Sequence, residues 1–444
     1  MDLLNRKKTG KVERPVKVLQ FGEGNFLRAF VDYMIDIANE QGKFNGDIVL
    51  VKPIEFGSLD RFHDQECQYT VQLRGIVDGE PKRINRIVTS VADAVDAYGE
   101  YQKYADYAKL DSLRYIVSNT TEAGIVYDDT DRLEMEPPKS YPGKLTKFLY
   151  ERYKHFNGAM DKGLVMLPVE LIDDNGIHLK ECVEKLAVLW NLEEGFKKWL
   201  DEACVFTSTL VDRIVTGYPR DEAEELCKEF GYQDNLIVTG EPFALWVIES
   251  AKDISKEFPL PDAGLPVIFT DNQKPYKQRK VRILNGAHTS FVLASYLCGN
   301  DIVLESMQDE LIFNFMKATI FDEVIPTLTL PKQDLIDFAE AVITRFNNPY
   351  VKHALLSISL NSVSKWRARC MPSFLEYIKN EGKLPTHLTF SLAALMAFYT
   401  GTEIRDKALI GHRDGAEYQI LDDAAVLEFF AENSSKDAAE YTHA

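Results

Sequence analysis

The sequence is short of basic residues, and this shortage limits the partners that the protein can bind. It has 51 lysines and arginines against 69 aspartates and glutamates, so its formal net charge is -18. Surfaces that bind nucleic acids or anionic membranes need clusters of positive charge. We therefore expect no nucleic-acid partner and no membrane partner. An anionic small molecule would need a locally basic pocket in this acidic protein.

The sequence also lacks the motifs of metal sites, disulfide frameworks and membrane segments. Its six cysteines form no CxxC pair and its eight histidines form no HExxH motif, so we expect reduced thiols and no metal. No run of about 18 apolar residues exists to span a membrane. Residues 1–12 are charged, and no signal peptide is expected there. These absences favour a cytoplasmic protein with a small-molecule substrate. The oligomeric state is left open, and a monomer is compatible with the sequence.

A strand, a glycine-rich turn and a helix are predicted near the start of the chain. Residues 16–21 predict a buried strand, and residues from Asn25 to about 41 predict a helix with Asn25 as its N-cap. The GxG turn between them is the kind that lets a pyrophosphate approach a helix N-terminus. Leu27 stands where the usual fingerprint has its third glycine, so a tight turn without a ligand explains the pattern equally well. If the turn binds a cofactor, contacts are expected from Phe21, Gly22, Gly24, Asn25 and Phe26.

Further strands are predicted at 47–51, 115–119 and 164–168, with a hairpin over 71–90 that turns at Asp78-Gly79. Polar residues at the carboxyl end of a parallel strand lie where open α/β sheets bind ligands. Asn119 and Thr120 are therefore candidate cofactor contacts, and a plain polar loop is an equal alternative. Lys52 and several acidic residues follow the second strand. The acidic residues favour a free ribose 2′-hydroxyl, and hence NAD over NADP.

The pattern changes beyond Pro266, where helical periodicity dominates. Helices are predicted over 276–299, 309–320, 332–346, 349–366, 371–380 and 386–399. A segment rich in Pro, Gly and Asp precedes them. We therefore predict an α/β protein. A Rossmann-type dinucleotide-binding domain is expected over 1–268, and a mainly α-helical C-terminal domain over 269–444.

Three polar residues recur among apolar neighbours at the start of this helical region. On a helix with about 100° per residue, Lys280, Asn285 and His288 fan across one side. An amine, an amide and an imidazole together can move a proton and polarise a carbonyl. For each residue alone, a surface lysine, a polar asparagine or a core histidine is the commoner explanation. Gly286 argues for function, because a mid-helix glycine costs about 1 kcal/mol relative to alanine and leaves room beside the backbone.

The Lys-x4-Asn-x2-His pattern resembles the signature of the polyol-specific long-chain dehydrogenases, the mannitol dehydrogenase family. Other segments agree with the family and keep its order along the chain. They are 21–30, 211–214, 241–243 with Trp246, 345–349 and 364–365. The resemblance spans about residues 15 to 400. It implies an NAD-dependent, metal-independent oxidoreductase with a Rossmann-type domain followed by a helical domain.

The resemblance also implies roles for individual residues. Lys280 would be the general acid/base, which requires a desolvated pocket that lowers its pKa. Asn285 would hydrogen-bond the developing alkoxide, and His288 would orient the substrate or Lys280. Family positions that line the substrate site are matched by Asp212 and Lys365. His353 is a further substrate-site candidate on the predicted helix over 349–366.

Within the family, segments 118–124, 170–173 and 211–220 are most similar to members that act on hexuronates. The implied reaction interconverts D-tagaturonate and D-altronate with NADH and NAD in hexuronate catabolism. Alternatives are fructuronate (mannonate) reduction, hexitol oxidation and, in a different class, a non-catalytic nucleotide-binding protein. The substrate carboxylate is expected on a basic helix over 353–369, at Lys365, Arg367 or Arg369.

One departure from the family concerns the alkoxide. Polyol-oxidising members carry an Asp-Asn pair whose asparagine also holds the oxyanion, and Glu170 and Leu171 stand at the corresponding positions here. Two alternatives follow: Asn285 acts alone, or another group such as Asn175 assists it. The departure also argues against mannitol as the substrate.

Overall fold

The structure is a computed structural model and describes residues 1–121 and 123–443. Backbone contacts divide the chain into two compact units. The first comprises Met1–Arg74 and Arg83–Gln273, and the second comprises Gly75–Lys82 and the chain from Lys274 onward. All six cysteines are free thiols. No helix within the described residues has the length and apolar character needed to cross a membrane.

The first part of the chain supplies the strands of three sheets. They are β1 (Val16–Phe21), β2 (Asp47–Lys52), β3 (Tyr69–Val77), β4 (Glu80–Val88), β5 (Val91–Asp96), β6 (Tyr115–Ser118), β7 (Val165–Pro168), β8 (Val205–Phe206), β9 (Ser208–Asp212), β10 (Val215–Gly217), β11 (Val238–Gly240), β12 (Leu245–Glu249) and β13 (Val267–Thr270).

The largest sheet is parallel and has the strand order β5-β2-β1-β6-β7-β8. Counted along the chain within this sheet, the order is 3-2-1-4-5-6, as in dinucleotide-binding Rossmann folds. The order reverses between β1 and β6, so the carboxyl ends of these two strands flank a crevice. The predicted Rossmann-type architecture is confirmed. Each single strand predicted above corresponds to a strand of this sheet.

Both faces of the sheet are covered, because successive residues of a strand point to opposite sides. In β1, Val18 belongs to one apolar core and Leu19 to the other, and Leu50 and Val49 of β2 divide in the same way. The helix that follows β1 packs on the first face. Helix Tyr141–His155 packs on the second. Burial on both faces explains why the strands are nearly continuous apolar runs.

The remaining strands form two smaller sheets, in the orders β10-β11-β3-β4 and β13-β12-β9. The hairpin of β3 and β4 turns at Asp78 and Gly79, whose φ angles are 54° and 78°. Positive φ at both central residues is the signature of a type I′ turn. The hairpin predicted at this position is therefore confirmed.

The helix after β1 contains a π-helical segment, Arg28–Asp32, between Asn25–Leu27 and Tyr33–Glu40. Gly24 is its N-cap residue and no side chain caps it, so the predicted Asn25 cap is wrong. Asn25 lies inside the first turn, where its Oδ1 accepts a hydrogen bond from Arg28 Nη2 at 2.6 Å. The other α-helices of the first unit are Arg6–Thr9, Asp60–Asp64, Tyr101–Asp106, Tyr141–His155, Asn175–Leu189, Glu194–Glu202 and Ala223–Phe230, with 3₁₀ turns at Tyr107–Lys109, Met160–Lys162 and Pro261–Ala263.

The second unit is mainly helical, as predicted. Its α-helices are Lys274–Arg279, Gly286–Leu297, Val303–Gln308, Glu310–Ala318, Lys332–Phe346, Leu355–Ile358, Ser362–Arg369, Met371–Glu381, Thr386–Phe398, Ala424–Asn433 and Ala438–His443, with π-helical segments Lys280–Asn285 and Thr319–Val324 and a 3₁₀ turn at Ile325–Thr327. Helix Gly286–Leu297 is buried along most of its length. It packs against Glu310–Ala318, Leu355–Ile358, Ser362–Arg369 and Thr386–Phe398, and it is therefore the centre of this unit.

The single helix predicted over 349–366 is wrong. Residues 349–354 are not helical, and Ala354 forms an antiparallel bridge with Ile302. Two short helices follow, and Asn361 between them has a left-handed φ of 53°. Pro349 disfavours helical geometry at the residue before it, and Asn361 interrupts the helical periodicity farther on. His353 consequently precedes the helices and does not lie on one.

A small antiparallel sheet near the end of the chain was not predicted. It consists of β14 (Ile404–Arg405), β15 (Ala408–Arg413) and β16 (Ala416–Ile420). β15 and β16 are joined at Asp414 and Gly415, with φ angles of 53° and 82°. An Asp-Gly pair between two short apolar runs is a hairpin signal, and this signal could have revealed the sheet.

Candidate functional site

A cavity of about 810 Å³ lies in the first unit, at the point where the sheet order reverses. Open α/β sheets bind ligands at this point, and the volume suits a small molecule or cofactor. Its walls come from the turns after β1, β2 and β6 and from the start of helix Tyr141–His155. The lining residues are Gly22, Glu23, Gly24, Pro53, Ile54, Asn119, Thr120, Thr121, Ala123, Gly124, Val126, Tyr127, Asp128, Asp129, Lys139, Ser140 and Tyr141.

The turn after β1 has the shape of a pyrophosphate cradle. Gly22 has a φ of 121°, a conformation that only glycine adopts readily. A Cβ at Gly22 would lie 3.2 Å from the carbonyl oxygen of Asn119 and 3.2 Å from Cδ1 of Leu27. A Cβ at Gly24 would meet no atom within 4 Å. The backbone before the helix is therefore open to a ligand, and this geometry fits a dinucleotide phosphate.

Four of the seven predicted cofactor residues line this cavity: Gly22, Gly24, Asn119 and Thr120. The other three lie beside it, and their side chains have other contacts. The ring of Phe21 is fully buried in the core, 5.0 Å from the ring of Tyr141. Asn25 bonds Arg28, as described above, and Phe26 stacks on Phe30 with ring centroids 5.0 Å apart. For these three residues, a contact with the cofactor stays a prediction.

Glu170 holds the loop that follows β6. Its buried carboxylate accepts hydrogen bonds from Ser118 Oγ at 3.1 Å, from Thr120 N at 3.1 Å and from Thr120 Oγ1 at 3.0 Å. Burial raises the pKa of Glu170, and these hydrogen bonds act in the opposite direction. The acid that stands at the family's Asp position thus orders two residues beside the cavity.

Asn175 is not available to a substrate. Its Nδ2 donates to the carbonyl oxygens of Pro168, Glu170 and Thr209 at 3.0–3.2 Å. Its Oδ1 accepts from the backbone N–H of Gly176 and of Thr209, both at 2.9 Å. Every polar atom of this buried side chain is used, so the suggestion that Asn175 assists at the oxyanion is wrong. Leu171 is 66% exposed and has no polar group to offer.

Lys52 lies at the end of β2, where dinucleotide-binding folds recognise the ribose, and its side chain is buried. Its Nζ pairs with Asp96 Oδ2 at 3.0 Å. It also donates to the carbonyl oxygens of Ile54 at 2.9 Å, of Glu55 at 3.3 Å and of Phe56 at 3.4 Å. A lysine engaged in this way has no capacity left for a ribose 2′-phosphate.

The far wall of the cavity was not predicted. Residues 126–129 and 139–141 contribute to it. Except for Tyr141, which begins helix Tyr141–His155, they belong to the connection between β6 and this helix, in which the described residues form neither helix nor strand. Irregular loops longer than about 15 residues are uncommon in compact domains and are usually functional. The length of this segment is the signal that could have identified it.

Asp212 ends β9 in the first unit, and its side chain is buried. The neighbouring Arg213 guanidinium donates hydrogen bonds to the carbonyl oxygens of Ala29, Pro242 and Phe243. Burial lowers the pKa of Arg213 to about 10. Arg213 therefore joins the end of β9 to neighbouring loops.

In the second unit, Lys280 and Asn285 begin and end a π-helical segment. A π-helical hydrogen bond joins residue i to residue i+5, so Asn285 lies one turn beyond Lys280 on the same side. The uniform α-helix assumed from sequence would separate them by about 140°. The Asn285 side chain makes no hydrogen bond to any other residue that the structure describes. Single π-turns recur at functional sites, and here one aligns an amine with an amide.

His288 follows on the α-helix that continues the π-segment. Its ring lies 4.2 Å from the ring of Phe346 and 5.5 Å from that of His353. Burial first, and then the nearby positive charges, lower its pKa to about 3. These charges belong to His353, Arg345, Arg369 and Lys365. Nε2 is buried, and within 1–121 and 123–443 it has no hydrogen-bond partner. The imidazole is neutral near pH 7 and can only serve as a hydrogen-bonding group.

Gly286 was expected to leave room for a ligand beside the backbone. A Cβ at this position would lie 3.4 Å from the carbonyl oxygen of Arg369, which is ordinary van der Waals contact, and Cys370 Sγ lies 3.6 Å from the Gly286 carbonyl oxygen. The end of helix Ser362–Arg369 therefore occupies the space beside Gly286, and no steric requirement for glycine follows from it.

The structure separates the three bases of helix Ser362–Arg369. Lys365 and Arg369 are four residues apart on one side and are half-buried, whereas Arg367 is exposed. Lys365 Nζ donates to the Ile358 carbonyl oxygen at 2.9 Å, and Arg369 Nη1 donates to Thr289 Oγ1 at 3.3 Å. Burial is the main cause that lowers the pKa of both. Lys365, Arg369 and His353 thus surround His288, and Arg367 does not belong to this group. In the described chain, no three or more His, Cys, Asp or Glu side chains are grouped to hold a metal ion.

Comparison with known families covers nearly the whole chain. Residues 16–261 match the family model of the mannitol dehydrogenase Rossmann domain, and residues 272–432 match that of the mannitol dehydrogenase C-terminal domain. An altronate oxidoreductase of Yersinia enterocolitica serotype O:8 / biotype 1B is 46% identical over 97% of this chain and 87% of its own length. An altronate oxidoreductase of Pectobacterium atrosepticum is 47% identical over 97% of this chain and 88% of its own.

Two solved structures share the fold. A substrate-free D-sorbitol dehydrogenase has a TM-score of 0.81 at 20% identity, and the match covers 99% of this chain and 92% of that one. The Pseudomonas fluorescens mannitol 2-dehydrogenase ternary complex with NAD and D-mannitol has a TM-score of 0.66 at 23% identity, covering 99% and 90%. These similarities agree with the architecture described above.

Proposed function

The chain belongs to the mannitol dehydrogenase family, and on that premise we propose that it is an NAD-dependent oxidoreductase that interconverts D-tagaturonate and D-altronate. Relatives named altronate oxidoreductase, at 46–47% identity over 97% of the chain, support this reaction over the other activities of the family. We assign cofactor binding to the first unit and proton transfer to the second. The free thiols of all six cysteines support a cytoplasmic location.

One observation in the structure carries the proposal. The π-segment places Lys280 and Asn285 on one side of a helix, and the same helix carries His288. Among the described residues, the buried His288 Nε2 has no hydrogen-bond partner, and the side chain of the partly exposed Asn285 makes no hydrogen bond. Buried polar groups are normally paired. Groups left unpaired beside a lysine are arranged for a substrate that carries a carbonyl or hydroxyl oxygen.

The cavity of the first unit fits the cofactor. Gly22 and Gly24 leave the backbone before the helix open, as a pyrophosphate requires. The engaged Lys52 favours a cofactor without a 2′-phosphate. When bound, this cofactor supplies the hydride in reduction and accepts it in oxidation. Glu170 keeps the β6 loop in place beside it through Ser118 and Thr120.

The residues of the second unit handle the proton and the developing charge. In reduction, the Lys280 ammonium gives a proton to the carbonyl oxygen of the substrate. In oxidation, its neutral amine removes the hydroxyl proton. The Asn285 Nδ2–H group donates a hydrogen bond to the same oxygen while negative charge develops there. The neutral His288 ring fixes the orientation of a substrate hydroxyl. Because Asn175 is fully engaged, Asn285 is the amide that supports this step.

A substrate panel tests the assignment. Oxidation of NADH is followed by absorbance with D-tagaturonate, D-fructuronate and D-fructose in separate reactions. We expect the highest kcat/KM with D-tagaturonate. A preference for fructuronate would make the protein a mannonate-forming reductase, and turnover of fructose alone would exclude a uronate substrate.

A second experiment separates an enzyme from a nucleotide-binding protein without catalysis. Lys280→Ala should bind NADH with unchanged affinity in a fluorescence titration, and its kcat should fall by about 10³-fold, since positioned acid–base groups contribute 10²–10⁴. Unchanged turnover in this variant would refute the role of Lys280.

A further inference from the structure

Two cations of the second unit are half-buried and have no counter-ion among the described residues. Lys365 and Arg369 form no ion pair, although the protein carries 69 acidic residues. The Lys365 ammonium donates one hydrogen bond, to a carbonyl oxygen, and the Arg369 guanidinium donates one, to the Thr289 hydroxyl. An arginine has five N–H donors, so most of the donor capacity of Arg369 is unused.

This arrangement is unfavourable for the protein alone. The two cations lie four residues apart on one side of a helix, where like charges repel. The positive charge of Arg369 contributes to lowering the pKa of Lys365, and both groups are partly desolvated. The carboxylate that acts on Lys365 from nearby is Asp422, which accepts hydrogen bonds from Tyr399 Oη and from the Val363 N–H at 3.3 Å. It does not neutralise the pair.

Compensation of the helix dipole does not account for the burial. A base in the last helical turn gains a small stabilisation from the dipole without being buried, as the exposed Arg367 does. Arg369 instead donates to the hydroxyl of Thr289, and its charge acts on His288, whose Nε2 is buried. Its position is explained if it receives an anion next to the residues that act on the substrate oxygen.

We propose that Arg369 is the residue that recognises the substrate carboxylate, with Lys365 beside it, and that it determines the preference for uronates over neutral ketoses. This inference rests on the proposed function. Arginine presents two parallel N–H groups that match the two oxygens of a carboxylate. Lysine provides a point charge.

The spacing along the central helix agrees with the substrate. Asn285, which bonds the reacting oxygen, and Thr289, which bonds Arg369, are one turn or about 6 Å apart along the axis. In D-tagaturonate, three CHOH groups separate the carbonyl carbon from the carboxylate carbon, a span of about 5 Å for extended bonds of 1.5 Å. One end of the molecule can therefore meet Asn285 while the other meets Arg369.

The test compares D-tagaturonate with D-tagatose, which has a CH2OH group in place of the carboxylate. For Arg369→Ala, kcat/KM with tagaturonate should fall about 100-fold, mainly through KM, because charge-assisted hydrogen bonds are lost. Activity with tagatose should not fall. If tagatose turnover is too slow to measure, its inhibition constant against tagaturonate replaces it and should be unchanged. Arg367→Ala, on the exposed side of the same helix, is the matched control and should behave as the wild type.

Two further measurements keep the outcomes distinct. NADH affinity and thermal stability show whether each variant is folded, and Arg369→Lys, which keeps the charge, should lose about 10-fold with tagaturonate alone. If Arg369→Ala lowered kcat/KM equally with both sugars, or did not lower it with tagaturonate, the role of Arg369 would be overturned. If the wild type does not reduce tagaturonate at all, it is the proposed function that fails.

Discussion

The ring of His288 lies against the ring of Phe346, with centroids 4.2 Å apart and planes inclined by 30°. This contact removes the imidazole from water, and the surrounding bases disfavour its protonation. The residue that we propose orients the substrate is thus a neutral ring packed against an aromatic neighbour. Its state, and the state of other buried groups, can be tested through their pH dependence and through matched variants.

Stability should decrease in acid because of His288. Its pKa is about 3 in the folded protein and about 6.5 in the unfolded chain, so the unfolded state takes up the proton first as the pH falls. The contribution of His288 is therefore present above pH 6.5 and is progressively lost between pH 6.5 and 3. At pH 5 the loss is about 2 kcal/mol. His288→Gln should show a smaller fall in Tm between pH 7.5 and 5 than the wild type. If Tm fell equally between pH 7.5 and 5 in the two proteins, the imidazole of His288 would not be held neutral by the fold.

Asp32 should have the opposite effect on the pH dependence of stability, because it should destabilise the folded protein as the pH rises. Its carboxyl group is fully buried, accepts a hydrogen bond from Tyr69 Oη at 2.6 Å, and has its pKa raised to about 7, chiefly by burial. A raised pKa means that its stabilising contribution is full below about pH 4 and is lost as the pH rises through 7. Asp32→Asn keeps an acceptor for Tyr69 and removes the charge. It should be more stable than the wild type at pH 8, by about 4 kcal/mol, with a smaller difference at pH 5. Denaturant titrations at the two pH values measure this difference, and a constant difference would refute the assignment.

Glu170 should affect cofactor affinity without contacting the reacting atoms. Its carboxylate orders Ser118 and Thr120, so Glu170→Ala should raise the Kd for NADH about 10-fold, a loss of about 1.4 kcal/mol. The adjacent Leu171, which is 66% exposed, provides the control, since Leu171→Ala should leave the Kd unchanged. Fluorescence titration with NADH gives both values. A normal Kd in Glu170→Ala would show that the loop is held by other contacts.

Substitution of Asn175 should reduce stability, whereas substitution of Asn285 should reduce kcat. Asn175→Ala removes five buried hydrogen bonds and should destabilise the protein by about 3 kcal/mol, while the kcat of the folded fraction stays near the wild-type value. Asn285→Ala should retain its Tm and lose about 10²–10³-fold in kcat, the usual result of removing one donor to a developing oxyanion. Thermal melts and initial rates distinguish the two. A large kcat effect at Asn175 without loss of stability would restore it as a second oxyanion donor.

The parallel sheet could be predicted from the sequence because its strands are short apolar runs buried on both faces. Local pattern also located the type I′ hairpin at Asp78-Gly79, since glycine and aspartate tolerate the positive φ angles of such a turn. The helix boundaries around Asn361 could not be predicted in this way. A single residue with left-handed φ interrupts a periodic pattern that otherwise continues.

By itself, the sequence determined the fold class and the identity of the polar residues near the start of the helical region. Apolar periodicity and residue type are local properties of the sequence. They are enough to identify Lys280, Asn285 and His288 as candidate site residues. The tertiary structure decided which groups remain available. All polar atoms of the Asn175 side chain bond to backbone groups. The Lys52 ammonium bonds to Asp96 and to carbonyl oxygens, whereas Arg369 has N–H donors that bond to no described residue. Hydrogen-bond capacity is shared among residues far apart in the chain, so only the folded arrangement shows where it is exhausted and where it remains.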